Sequence, residues 1–82
     1  MKKQLIEKAI DFATSNRVAL QQSDKAGCYY CKKIYNASLV TNYLESEETA
    51  LCPKCGIDSV IPSKSPIELT PRNLADLNKH WF

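Results

Sequence analysis

Histidine occurs once in these 82 residues and glycine twice, and both shortages restrict the chemistry on offer. With His80 as the lone imidazole, no Ser/His/Asp set assembles convincingly, and an HNH-type nuclease lacks the histidines it needs beside a metal. Gly27 and Gly56 are too few for a glycine-rich phosphate cradle. No window approaches the ~20 apolar residues that span a bilayer. A strong charge of one sign is missing too: the formal net charge is +2, short of the basic footprint that marks nucleic-acid binding. At the start, Met1-Lys2-Lys3-Gln4 is basic, but Glu7, Lys8 and Asp11 interrupt any apolar run. An export signal is therefore not expected, and a reducing, cytoplasmic compartment is.

Against these gaps stand four cysteines in two C-x2-C pairs. Cys28-Tyr29-Tyr30-Cys31 is followed by twenty residues and then by Cys52-Pro53-Lys54-Cys55-Gly56. Two residues between cysteines let one tight turn aim both sulfurs at a common point, and the separation of the pairs is typical of an all-cysteine zinc site. Zinc suits it because a tetrahedral d10 ion accepts four thiolates at about 2.3 Å. Pro53 fixes φ at the start of the second turn. Gly56 follows it where positive φ is needed. Cys28, Cys31, Cys52 and Cys55 are thus the expected ligands of one structural zinc ion.

Two other uses of the cysteines carry less weight. Paired disulfides belong to oxidising compartments. Redox catalysis at Cys52-Pro53-Lys54-Cys55 wants the first cysteine at a helix N-terminus, whereas Gly56 to Pro62 reads as a short strand. Four thiolates also close a zinc shell, and a catalytic zinc keeps a position open for water. No enzyme activity is expected. His80 reads as an ordinary surface histidine near a helix end.

Size makes the metal useful. So short a chain forms one domain and buries a limited share of its surface. Zinc contributes about 10–16 kcal/mol in model fingers, as much as a typical domain's whole stability. Four thiolates and a divalent ion lower the formal charge by two, which brings the loaded chain close to zero. Locally the charge is uneven: residues 1–33 carry seven basic side chains against three acidic ones. Lys32, Lys33 and Lys54 sit beside the thiolates and partly offset them.

The periodicity predicts an amphipathic helix from residue 2 to about 14, with Leu5, Ile6, Ala9, Ile10, Phe12 and Ala13 on one face. Arg17 to Gln22 either continues it or forms a second short helix capped by Asn16. After the first pair, Lys32 to Tyr35 leaves as a strand. Asn36 then caps a helix over Ala37 to about Glu45, with Leu39, Val40, Tyr43 and Leu44 buried. Ser46-Glu47-Glu48 is a solvated loop. Thr49 to Leu51 enters the second pair, and Gly56 to Ile61 leaves it and pairs back as a small ribbon. Pro62 to Pro66 is a loop. Thr70 caps a last helix with Pro71 at its first position; Trp81 and Phe82 pack onto the zinc module or the first helix, with a partner-binding aromatic tail as the alternative.

The motifs resemble a small bacterial zinc-ribbon-like family whose members usually carry only the label "cytoplasmic protein". The likeness lies in Gly27 through Cys31, in Lys33-Ile34-Tyr35, and above all in Ala50-Leu51-Cys52-Pro53-Lys54-Cys55-Gly56-Ile57-Asp58-Ser59-Val60-Ile61. The close from Thr70-Pro71 to His80-Trp81-Phe82 is similar as well, so about residues 16–82 take part. Many members have a further cysteine before the first glycine; Ala26 stands there here, which implies that such a cysteine is not a required ligand. The resemblance implies a metal-binding, bacterial or phage-borne protein and no particular activity.

The chain is therefore expected to be a single α+β domain over residues 1–82. Its parts are an N-terminal helical segment (1–24), a zinc-ribbon-like four-cysteine module with a small antiparallel ribbon (27–61), and a C-terminal helix (70–82). The favoured role is a non-enzymatic interaction module with a protein partner. The alternative is a nucleic-acid-binding regulator that uses the basic N-terminal third, with Tyr29, Tyr30 and Tyr35 interleaved among Lys32 and Lys33.

Overall fold

Ile61 and Val60 are neighbours, yet their side chains enter different cores, because successive strand residues point to opposite faces of a sheet. That alternation organises the protein. The computed structural model describes all 82 residues. Helix α1 spans Lys3–Ala13 and α2 spans Arg17–Gln21; strands β1 (Lys25–Cys28) and β2 (Ile34–Asn36) follow. A 3-10 turn at Ala37–Leu39 leads to β3 (Tyr43–Leu44), β4 (Thr49–Ala50), β5 (Val60–Pro62) and helix α3 (Pro71–Trp81). The architecture is α+β with a helix at each end. No helix is long and apolar enough to cross a membrane.

The main sheet is antiparallel in the order β2-β1-β5, with Gly27 opposite both Ile34 and Ile61. One face carries Ala26, Cys28 and Val60 toward the cysteines, Tyr35 and Val40. The other face receives the helices: Ala9 and Ala13 of α1 and Leu74 and Leu77 of α3 pack with Ile61 and Ile67. Gly27 permits the close approach of α3, since a Cβ there would meet Leu69 Cδ2 at 3.1 Å and Leu74 Cδ1 at 3.2 Å. The terminal helices thus share a conventional apolar core, and the second core is built around sulfur.

The helix ends follow local chemistry. Ser15 at φ 49° breaks the N-terminal segment into two helices. Asn16 does not cap the second. It is buried at 3% exposure, where its amide donates to Phe12 O (3.1 Å) and Val60 O (2.8 Å) and its oxygen accepts from Ala50 N (3.0 Å). One side chain thereby ties α1, the main sheet and the β3–β4 hairpin together. Thr70 does cap α3, accepting from Asn73 N at 3.1 Å, with Pro71 in the first turn. Trp81 donates its indole N–H to Ile6 O at 2.8 Å and so docks α3 on α1. Phe82 lies instead against the first cysteine turn, its ring centre 4.9 Å from that of Tyr30 and 5.7 Å from that of Tyr29.

The segment between the cysteine pairs departs from expectation. No helix covers Ala37 to Glu45; the 3-10 turn gives way to extended Val40 and then to a hairpin of Tyr43–Leu44 with Thr49–Ala50. Asn36 cannot cap because β2 holds it opposite Lys25, whose ammonium donates to its side-chain oxygen at 2.6 Å. The β-branched and aromatic residues from Val40 to Tyr43 favour extended backbone. Leu39 and Leu44, expected inside, are 46% and 38% exposed. The ribbon also pairs differently. Thr49–Ala50 joins β3 and not the segment after Cys55, while Val60–Pro62 joins β1. Pro62 belongs to that strand, tolerated because β5 is at the sheet edge.

Candidate metal centre

The two C-x2-C turns repeat one hydrogen-bond pattern position for position. In the first, Lys32 N donates to Cys28 O at 2.8 Å, and Cys28 N donates to Lys33 O at 3.0 Å. In the second, Gly56 N donates to Cys52 O at 2.8 Å, and Cys52 N donates to Ile57 O at 3.0 Å. Each leading sulfur also accepts a backbone N–H from two residues on: Tyr30 N to Cys28 Sγ at 3.4 Å, Lys54 N to Cys52 Sγ at 3.3 Å. The residue after each second cysteine takes left-handed backbone, Gly56 at φ 81° and Lys32 at φ 62°. Glycine suits this position; lysine bears a steric cost there.

β1 delivers Cys28, the β3–β4 hairpin delivers Cys52, and the two turns face each other. All four sulfurs lie within 4.8 Å of one another. Cys28 Sγ approaches Cys55 Sγ to 3.6 Å and Cys31 Sγ approaches Cys52 Sγ to 3.7 Å, so the four are free and unbridged. Zinc–sulfur bonds of about 2.3 Å imply tetrahedral edges of about 3.8 Å. The two close approaches match such edges, and no pair of sulfurs lies farther apart than 4.8 Å. Four soft sulfur donors in this arrangement fit a thiophilic ion.

Two buried hydroxyls strengthen the fit. Ser59 Oγ, 1% exposed, lies 3.1 Å from Cys28 Sγ, and Tyr35, 6% exposed, directs its hydroxyl to Cys52 Sγ at 3.3 Å. Thiolate sulfur is a better acceptor than thiol sulfur, so these hydroxyls favour the ionised ligands that a metal requires. As free thiols the four cannot all ionise. Burial pushes Cys28 up to about 12, beyond what Ser59 and backbone donors pull back, and Cys52 charge adds to the rise. Burial also raises Cys55. Cys52 goes the other way: burial raises it, but the Tyr35 hydroxyl and the Lys54 N–H outweigh that and bring it down to about 7. The Cys52 thiolate forms readily, whereas Cys28 and Cys55 call for a cation.

Other sequence candidates lie elsewhere. His80 is exposed on α3, edge-on to Trp81 at 5.0 Å, outside the cysteine cluster. Of the three tyrosines proposed to stack bases, Tyr29 and Tyr35 are buried and only Tyr30, at 46%, is exposed. Burial raises Tyr29 to about 12, and burial together with its bond to Cys52 raises Tyr35 further. The acidic run forms an exposed turn in which Glu48 pairs with Arg17 at 3.2 Å. Sequence reasoning missed the roles of Ser59 and Tyr35 at the sulfurs and of Asn16 as a tie between elements. Apart from Phe12, their partners sit 17 to 44 residues away, and no local pattern marks them.

No family model matches the chain, and neither curated proteins nor solved structures give a significant match. The likeness to the zinc-ribbon-like family therefore rests on the quoted motifs alone.

Proposed function

We propose that this is a non-enzymatic protein of a reducing, cytoplasmic compartment, in which one zinc ion held by Cys28, Cys31, Cys52 and Cys55 organises a protein-binding module. The observation that carries the proposal is the convergence of four sulfurs, two of them served by buried hydroxyls. Zinc is favoured because four thiolates match its geometry and softness. When bound, the ion supplies cross-linking of the two turns and charge balance for the thiolates. The chain's own residues fix the sulfurs, exclude water from Cys28 and Cys52, and supply hydrogen bonds. A closed shell offers no open coordination position, which favours a structural over a catalytic role.

Tyr30 and Phe82 support a protein partner. They form an edge-on aromatic pair while 46% and 61% exposed. Aromatic residues of this kind dominate protein interfaces. The membership suggested by the motifs, in a small bacterial zinc-ribbon-like family, belongs to the same proposal.

The test is Cys52→Ser. One lost thiolate opens the shell, so the variant is expected to lose zinc and to melt far below the wild-type Tm. A variant that keeps the wild-type Tm would refute the structural role. A partner captured from native cells by the zinc-loaded protein is expected to be lost with Tyr30→Ser and Phe82→Ser together. Nucleic-acid retention that falls steeply with salt would favour the alternative regulator.

A further inference from the structure

The four sulfurs form two chemically distinct pairs. Cys28 and Cys52, each the first of its turn, are 0% and 3% exposed. Each accepts a backbone N–H and meets one buried hydroxyl, Ser59 for Cys28 and Tyr35 for Cys52. Cys31 and Cys55 are half-buried, and neither hydroxyl reaches them. The difference has a chemical consequence. A metal-bound thiolate reacts through its remaining lone pairs, and a hydroxyl donor occupies one of them. Burial blocks the approach of the reagent to the same sulfur. Both protections therefore fall on Cys28 and Cys52, and both are weaker at Cys31 and Cys55.

We propose that Cys31 and Cys55 are the modification sites of the centre, open to hydroperoxides and soft carbon electrophiles, and that Ser59 and Tyr35 shield Cys28 and Cys52. The assignment rests on the zinc reading above and concerns its regulation: oxidation at the exposed pair releases the ion. The thiolate of Cys31 or Cys55 attacks a peroxide oxygen, the O–O bond breaks, hydroxide leaves, and a sulfenic acid remains. The closest thiolate across the site then attacks that sulfur, forms the S–S bond and expels a second hydroxide. Two electrons pass from two thiolates to one peroxide. The hydrogen-bond-range approaches, Cys55 to Cys28 at 3.6 Å and Cys31 to Cys52 at 3.7 Å, make the products bridges between the two turns. The ion keeps two of its four ligands and dissociates.

The experiment uses full-length protein whose zinc content is first measured. N-ethylmaleimide below one equivalent is added, zinc release is followed with a chromophoric indicator, and fragmentation mass spectrometry locates the label. Label is expected first at Cys31 and Cys55, with zinc released in step. A parallel reaction with hydrogen peroxide is expected to give Cys28–Cys55 and Cys31–Cys52 bridges. Label that falls evenly on all four sulfurs, or first on Cys28 or Cys52, overturns the assignment while leaving the zinc reading intact. Protein without zinc at the outset sinks the zinc reading, and the assignment with it.

Two variants separate chemical shielding from mere burial. Ser59→Ala is expected to raise labelling of Cys28, and Tyr35→Phe that of Cys52, each by about tenfold, the worth of a hydrogen bond to a charged acceptor. A purely structural role would raise all four sites together. An unchanged label pattern in either zinc-loaded variant would overturn the shielding role of that hydroxyl.

Discussion

Asn16→Ala is expected to destabilise this protein more than any other single change away from the cysteines. The side chain makes three hydrogen bonds, at 3.1, 2.8 and 3.0 Å, to three different parts of the fold. Two of its partners, Val60 O and Ala50 N, belong to residues with 0% exposure. The lost Phe12 bond removes about 1 kcal/mol net, and the two buried groups left unpaired cost about 1–3 kcal/mol each. The total is about 3–7 kcal/mol, a large share of the 5–15 kcal/mol that holds a typical domain. At about 4–8 °C per kcal/mol for a domain of this size, Tm falls by roughly 15 °C or more. Thermal unfolding of the zinc-loaded protein, followed by circular dichroism, measures it. Asn16→Asp sharpens the test, because it preserves shape and the acceptor but sets a carboxylate against two carbonyl oxygens. A fall below about 5 °C for both variants would refute the view that this amide joins the three parts.

Four further outcomes follow from backbone, capping and charge. Lys32→Gly is expected to stabilise the zinc-loaded protein by about 1 kcal/mol by relieving left-handed strain. Gly56→Ala should destabilise by a similar amount, although nothing lies within 4 Å of the added Cβ; equal and opposite Tm shifts check both, and two neutral results would refute the strain. Thr70→Ala should cost about 1 kcal/mol through the lost cap of α3, read from the denaturation midpoint at constant m-value; an unchanged midpoint would count against the cap. In chelator-stripped protein, burial raises Cys28 from 9.0 and Tyr29 from 10.0, each to about 12, and it raises Cys55 and Tyr35 as well. These acids ionise more easily unfolded, so their contribution is intact below the unfolded values and is lost as pH rises toward 12. Cys52, lowered from 9.0 to about 7, acts oppositely: its contribution is full above 9.0 and is lost as pH falls through about 7. Stripped protein should therefore weaken above about pH 9, and a flat Tm from about pH 8 to 11 would contradict this.

The convergence of the four cysteines was legible because its signal is local. Two residues between cysteines dictate a turn wherever the turn ends up, and Gly56 and Pro53 mark it further. Helices α1 and α3 were legible for the same reason, through their apolar spacing and the Thr70-Pro71 start. The segment from Ala37 to Ala50 was not. Leu39, Val40, Tyr43 and Leu44 fit a helical face as spacing, and only the pairing of Tyr43 with Ala50 decides for a hairpin. That pairing closes a turn over residues 45–48 that holds no glycine, proline, asparagine or aspartate to mark it. Asn16 illustrates the same limit from the other side: its identity suits a helix cap, but burial against Val60 and Ala50 gives it a tertiary role. Ser59 and Tyr35 become informative only once the sulfurs are in place.

Zinc K-edge X-ray absorption on the purified protein, with its metal content determined in parallel, tests the centre most directly. One zinc ion per chain surrounded by four sulfur atoms at about 2.3 Å is the expected result. A first shell containing nitrogen or oxygen, or protein that carries no metal and has bridged sulfurs, would contradict it.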